Sequence, residues 1–64
     1  MDRGLKAFLA VAQEGSIIAA ASKINLSQSS VTKRIAALEL AIGVSLFYRD
    51  RLGMSLTEAG QLFL

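Results

Sequence analysis

Cysteine, histidine, proline and tryptophan are all absent from the 64 residues of this chain. Without cysteine, neither a disulfide framework nor a thiolate metal site can hold the fold, so ordinary packing must, and the absence fits a reducing cytoplasm. Without histidine the commonest proton shuttle is missing too, and the five acidic residues form no general acid and base pair. Metal ligation lacks its donors on the same ground. Gly43 and Gly53 belong to no phosphate-cradling spacing, and the serines near position 27 have no base to activate them. No enzyme, no metal and no cofactor are expected. The longest apolar run, Ala36 to Phe47, is broken by Glu39 and Gly43 and falls far short of the roughly 20 residues a membrane span requires. The expectation is a soluble cytoplasmic chain with no membrane partner.

What is present is apolar to an unusual degree for so short a chain. Hydrophobic residues make up 53% of it, close to the size at which a domain can just bury enough surface to fold alone. One domain over residues 1–64 is expected, with some apolar surface left over for another chain or a missing domain. The net charge is only +2. Lys23, Lys33, Arg34, Arg49 and Arg51 nonetheless lie between positions 23 and 51, with Asp2, Glu14 and Glu58 outside, which favours a polyanionic partner.

Leu5, Phe8, Leu9 and Ala12 recur at helical spacing, so a first helix runs from about Asp2 to Glu14, where Gly15 and Ser16 supply a left-handed stop and a new N-cap. Ile17, Ala20, Ala21 and Ile24 share one face of a short second helix. Asn25 can end it in left-handed geometry, Leu26 turns back to the core, and Ser27 caps the next helix. In the third helix Val31, Ile35, Leu38 and Ile42 form a stripe about 60° wide, and Gly43 closes it. Val44 to Tyr48 and Met54 to Leu56 read as two short strands around a basic tip, and Thr57 caps a fourth helix that reads as cut short at Leu62, Phe63 and Leu64.

A helix, tight turn and helix from Ser16 to Ile42 is the arrangement in which the first helix braces a second whose N-terminal turn enters the major groove. Opposite the apolar stripe lie Ser29, Lys33 and Ala36, with Thr32 beside them, so the outward face is short, polar and basic. Ser27 and the free amides of that first turn can hold a phosphate. Gln28 is of a type that pairs with adenine, Lys33 with guanine, and Thr32 can touch a base edge or a thymine methyl. Ser30 and Arg34 complete the candidate set on this helix, and Arg49 and Arg51 form it on the hairpin.

The run from Gly15 to Asp50, with Leu56-Thr57-Glu58-Ala59-Gly60 after it, closely resembles the N-terminal domain of the LysR-type transcriptional regulators. The resemblance is carried by Gly15-Ser16-Ile17, Ala20-Ala21, Ser27-Gln28, Leu38-Glu39 and the stretch Gly43 to Arg49. It implies a mainly α fold: a three-helix winged helix-turn-helix with a short β-hairpin wing and, over 56–64, the start of a linker helix that pairs two subunits. It further implies double-stranded DNA as partner, with helix 27–42 in the major groove and wing 46–57 on the backbone or minor groove. Ser27, Gln28, Thr32 and Lys33 match the family's recognition-helix positions, and Arg49 and Arg51 fall in the wing. A homodimer through Leu62, Phe63 and Leu64 is implied, or a tetramer in a full-length protein, and a small effector would bind only a domain absent from this chain. Three departures stand out: Ser29 for a frequent proline, Ala36 and Ala37 where basic or polar residues are frequent, and Leu52 at a commonly basic wing tip. The competing readings are a helix-turn-helix of another family and a helical protein-interaction module whose polar face is merely solvated.

Overall fold

A computed structural model describes residues 2–64. The order of elements is α1 (Arg3–Glu14), α2 (Ile17–Ile24), α3 (Gln28–Ile42), β1 (Phe47–Asp50), β2 (Gly53–Leu56) and α4 (Glu58–Phe63). Each helix starts where a short polar side chain can cap it. Asp2 accepts from the amides of Gly4 and Leu5, Ser16 from Ala19, Ser27 from Ser30, and Thr57 from Gly60. Asp2 is therefore the cap of α1 and not its first turn. Gly15, Asn25 and Gly43 end α1, α2 and α3 in the left-handed conformation.

The three long helices enclose Phe8, Val11, Ala20, Val31, Ile35 and Leu46, all at most 1% exposed. Full burial of a large aliphatic or aromatic side chain is worth about 1.5 to 3 kcal/mol, so these few residues supply most of the driving force. Phe8 sits at the junction. Its ring lies 5.4 Å from that of Phe47 and meets the ring of Phe63 edge-on at 5.2 Å, tying the hairpin and α4 to α1.

Three details depart from the expectations of the sequence. The buried face of α1 is Ala7, Phe8, Ala10 and Val11, while Leu5, Leu9 and Ala12 flank it half-buried. On α3 only Val31 and Ile35 are buried, Leu38 is half-buried and Ile42 is 39% exposed, because the helix leaves the body before it ends. The first strand begins at Phe47 and not at Val44, which is exposed. The Leu46 amide goes to Glu39 and its carbonyl to Thr57, so its backbone serves the two helices before the ladder begins. The hairpin pairs Phe47 with Leu56, Tyr48 with Ser55, Arg49 with Met54 and Asp50 with Gly53.

Candidate nucleic-acid interface

The turn between α2 and α3 is fixed by Asn25 at φ 60°, ψ 45°, and by the Leu26 amide donating to the Ala21 carbonyl at 2.9 Å. It leaves the N-terminal turn of α3 projecting from the body. Gln28, Ser29 and Lys33 are exposed there, and Thr32 and Arg34 are half-buried beside them. The amides of Gln28 and Ser29 have no intrahelical acceptor by their position in the first turn, so they remain donors for an anion. Ser27 caps α3 as its sequence position predicts, and Ser30 pairs with it. The Ser27 hydroxyl accepts the Ser30 amide at 3.1 Å and donates to the Ser30 hydroxyl at 2.9 Å, closing the helix end and leaving the Ser30 hydroxyl its own proton to donate.

Lys33 and Arg34 share a surface depression with Arg3, at the start of α1, along with Asp2 and Leu38. Sequence reasoning missed Arg3, because only the packing of α1 across α3 brings it within reach of cations thirty positions away. Asp2, the acid in that depression, is occupied in capping α1. Lys23, in contrast, leaves the basic set: its ammonium contacts Gln13 at 2.8 Å and Glu14 at 3.2 Å, bracing α2 on α1.

The wing carries Arg49 and Arg51, both exposed. Its tip is closed by Asp50, whose Oδ1 accepts the amides of Leu52 at 2.8 Å and Gly53 at 3.1 Å, and Leu52 projects 98% exposed. The hairpin is fastened to the helix-turn-helix by the Met54 amide, which donates to the Gly15 carbonyl at 2.9 Å. Gly53 makes this possible. Its φ is 134°, and a Cβ there would stand 2.5 Å from the Gly15 oxygen. At the other end of the chain the apolar trio divides: Leu62 and Leu64 are 84% and 66% exposed, whereas Phe63 packs on Phe8 of its own subunit. Among the described residues no cluster of acidic groups could hold a metal ion, and no helix is long and apolar enough to cross a membrane.

A family model described as "Bacterial regulatory helix-turn-helix protein, lysR family" matches residues 3–61. The chain belongs to that family. The HTH-type transcriptional regulator ClcR of Pseudomonas putida is 50% identical over 62 residues, 97% of this chain and 21% of ClcR. YofA of Bacillus subtilis, also an HTH-type transcriptional regulator, is 50% identical over 62 residues, 95% of this chain and 22% of its own. This LysR-family chain thus spans about a fifth of the length of the curated relatives it matches. A crystal structure of a CbnR DBD-DNA complex superposes with a TM-score of 0.94 at 45% identity, covering 100% of this chain and 75% of that one. Its fold is the same mainly helical arrangement with a two-stranded wing.

Proposed function

We propose that this LysR-family domain binds double-stranded DNA sequence-specifically and serves as the reader of a bacterial transcription regulator. The observation that carries the reading is the exposed polar first half of α3, with Gln28, Ser29 and Lys33, beside a wing whose two arginines are also exposed. The α3 N-terminus enters the major groove, where Gln28, Thr32 and Lys33 reach base edges. Arg49 and Arg51 lie along the backbone or minor groove, with Arg3 and Arg34 holding phosphates beside α3. That a 45% identical chain was solved as a DBD-DNA complex supports the reading of DNA as the partner. The relatives are transcriptional regulators, and this chain shares their role, without catalysis and in the bacterial cytoplasm.

The same reading gives a homodimer in which exposed Leu62 and Leu64 of α4 meet a second copy, Phe63 contributing from its place on Phe8. A small effector would bind outside these 64 residues; the relative ClcR is several times this length. Binding to a random duplex, measured at several salt concentrations, tests the central claim. Each phosphate neutralised contributes about −0.9 to the slope of log K against log salt, so a steep negative slope is expected. A flat dependence would favour a protein-interaction module and overturn the reading.

A further inference from the structure

Two motifs that mark this sequence, Leu38-Glu39 and Leu56-Thr57-Glu58-Ala59-Gly60, supply no group to the proposed DNA face. The fold brings them to the two successive peptides on either side of Leu46. From α3, Glu39 Oε2 accepts the Leu46 amide at 2.7 Å. From the start of α4, the Thr57 amide donates to the Leu46 carbonyl at 2.9 Å, and the Thr57 hydroxyl donates to the Ser45 carbonyl at 2.7 Å. That hydroxyl also accepts the Gly60 amide at 2.9 Å. Gly60 itself must lack a side chain, since a Cβ would collide with the Leu46 carbonyl oxygen. The Leu46 side chain is fully buried, so the two peptides are held on the core side as well.

The bond from Glu39 is charge-assisted and partly shielded from water, which makes it the stronger kind. It also accounts for a carboxylate on a helix that would otherwise repel phosphates. We infer that Glu39 is a positioning residue: through the Ser45–Leu46 peptide it sets the wing and the start of α4 at one angle to α3, so that the wing meets the same DNA that α3 enters. The inference rests on the DNA-binding reading for its consequence, though not for its geometry.

The test compares the 64-residue chain with Glu39→Ala and Glu39→Gln, the amide of glutamine keeping an acceptor oxygen at the same reach. Residual dipolar couplings report whether the amides of residues 47–56 and α4 share one orientation with α1 to α3, and a salt titration on a random duplex reports the wing's phosphate contacts. In Glu39→Ala the wing amides should leave the common orientation, and the salt slope should fall by about one to two units as Arg49 and Arg51 lose their phosphates. Glu39→Gln should restore both readouts. A wing that keeps its orientation in Glu39→Ala, a wing that moves while the slope stays unchanged, or a Gln variant as damaged as the Ala variant would each overturn the inference. Should Glu39→Ala not fold, Thr57→Ser and Thr57→Val probe the joint from the other side, and equal behaviour of that pair would overturn it. A wild-type chain without salt-dependent binding would instead remove the DNA reading, and the orientation measurement would still judge the joint.

Discussion

The recognition helix and the wing are neighbours on one proposed surface, yet they are held by different balances of packing and directed bonds. α3 is seated by apolar packing of Val31 and Ile35, which no single polar group controls. The wing packs on the core through Phe47, whose ring meets Phe8, but its angle depends on a few directed bonds, those of Met54 to Gly15, Leu46 to Glu39 and Thr57 to Leu46. Packing is cooperative and non-directional, whereas a hydrogen bond fixes an angle. The helix should therefore fail with the whole domain, and the wing should fail alone.

The sharpest break is Ile35→Ala. Ile35 is fully buried, and truncating such a side chain costs about 2 to 5 kcal/mol, comparable to the whole stability of a domain this small. Thermal melts should show little cooperative unfolding left. Leu38→Ala should cost clearly less, because Leu38 is only half-buried, and exposed Ala36→Lys should stay within about 0.5 kcal/mol. A melt series ranking Leu38 above Ile35 would contradict the observed core.

Gly53→Ala should break the other side of the comparison. The added Cβ meets the Gly15 carbonyl, and the φ of 134° is strained for any side chain, so about 1 to 3 kcal/mol is expected. Hydrogen exchange should show the Met54 amide losing protection while the α3 amides keep theirs. If both regions opened together, the wing would not be an independently held element.

This division also explains what the sequence disclosed. The caps Ser16, Ser27 and Thr57 and the stops Gly15, Asn25 and Gly43 were legible because capping is local chemistry between residues three or four apart. The end of the stripe at Ile42 and the late start of β1 were not, since both depend on where α3 leaves the body and on the Leu46 peptide being claimed by distant groups. On the candidate surface, Ser29 and Lys33 fell where helical periodicity puts them, whereas Gln28 lies near the angle of the apolar stripe and is exposed in the first turn of α3. Arg3 did not announce itself, and the withdrawal of Lys23 into a pair with Glu14 needed the α1–α2 crossing.

Lys33→Ala and Arg51→Ala carry the comparison onto DNA. Lys33 stands opposite Val31 on α3, so its loss should cost about 1 to 3 kcal/mol on a cognate duplex and relax preference at one base pair. Arg51→Ala should weaken cognate and scrambled duplexes alike and lower the salt slope by about one unit. Titrations of both variants on both duplexes decide it. Equal weakening of the two duplexes by Lys33→Ala would withdraw Lys33 from base reading.

The smallest effect is expected at the wing tip, where it isolates affinity from specificity. Leu52 is 98% exposed and touches nothing that the fold needs, while its amide is held by Asp50 whatever side chain it bears. Leu52→Arg should therefore leave the melting temperature nearly unchanged, within about 0.5 kcal/mol. It would place a third arginine on a hairpin that already carries Arg49 and Arg51. One more phosphate contact should steepen the salt slope by about one unit and tighten cognate and scrambled duplexes by the same factor. The ratio between the two duplexes, set by α3, should not move. If Leu52→Arg changed that ratio while leaving the slope alone, the wing tip would be reading bases, and the separation of a reading helix from a gripping wing would have to be abandoned.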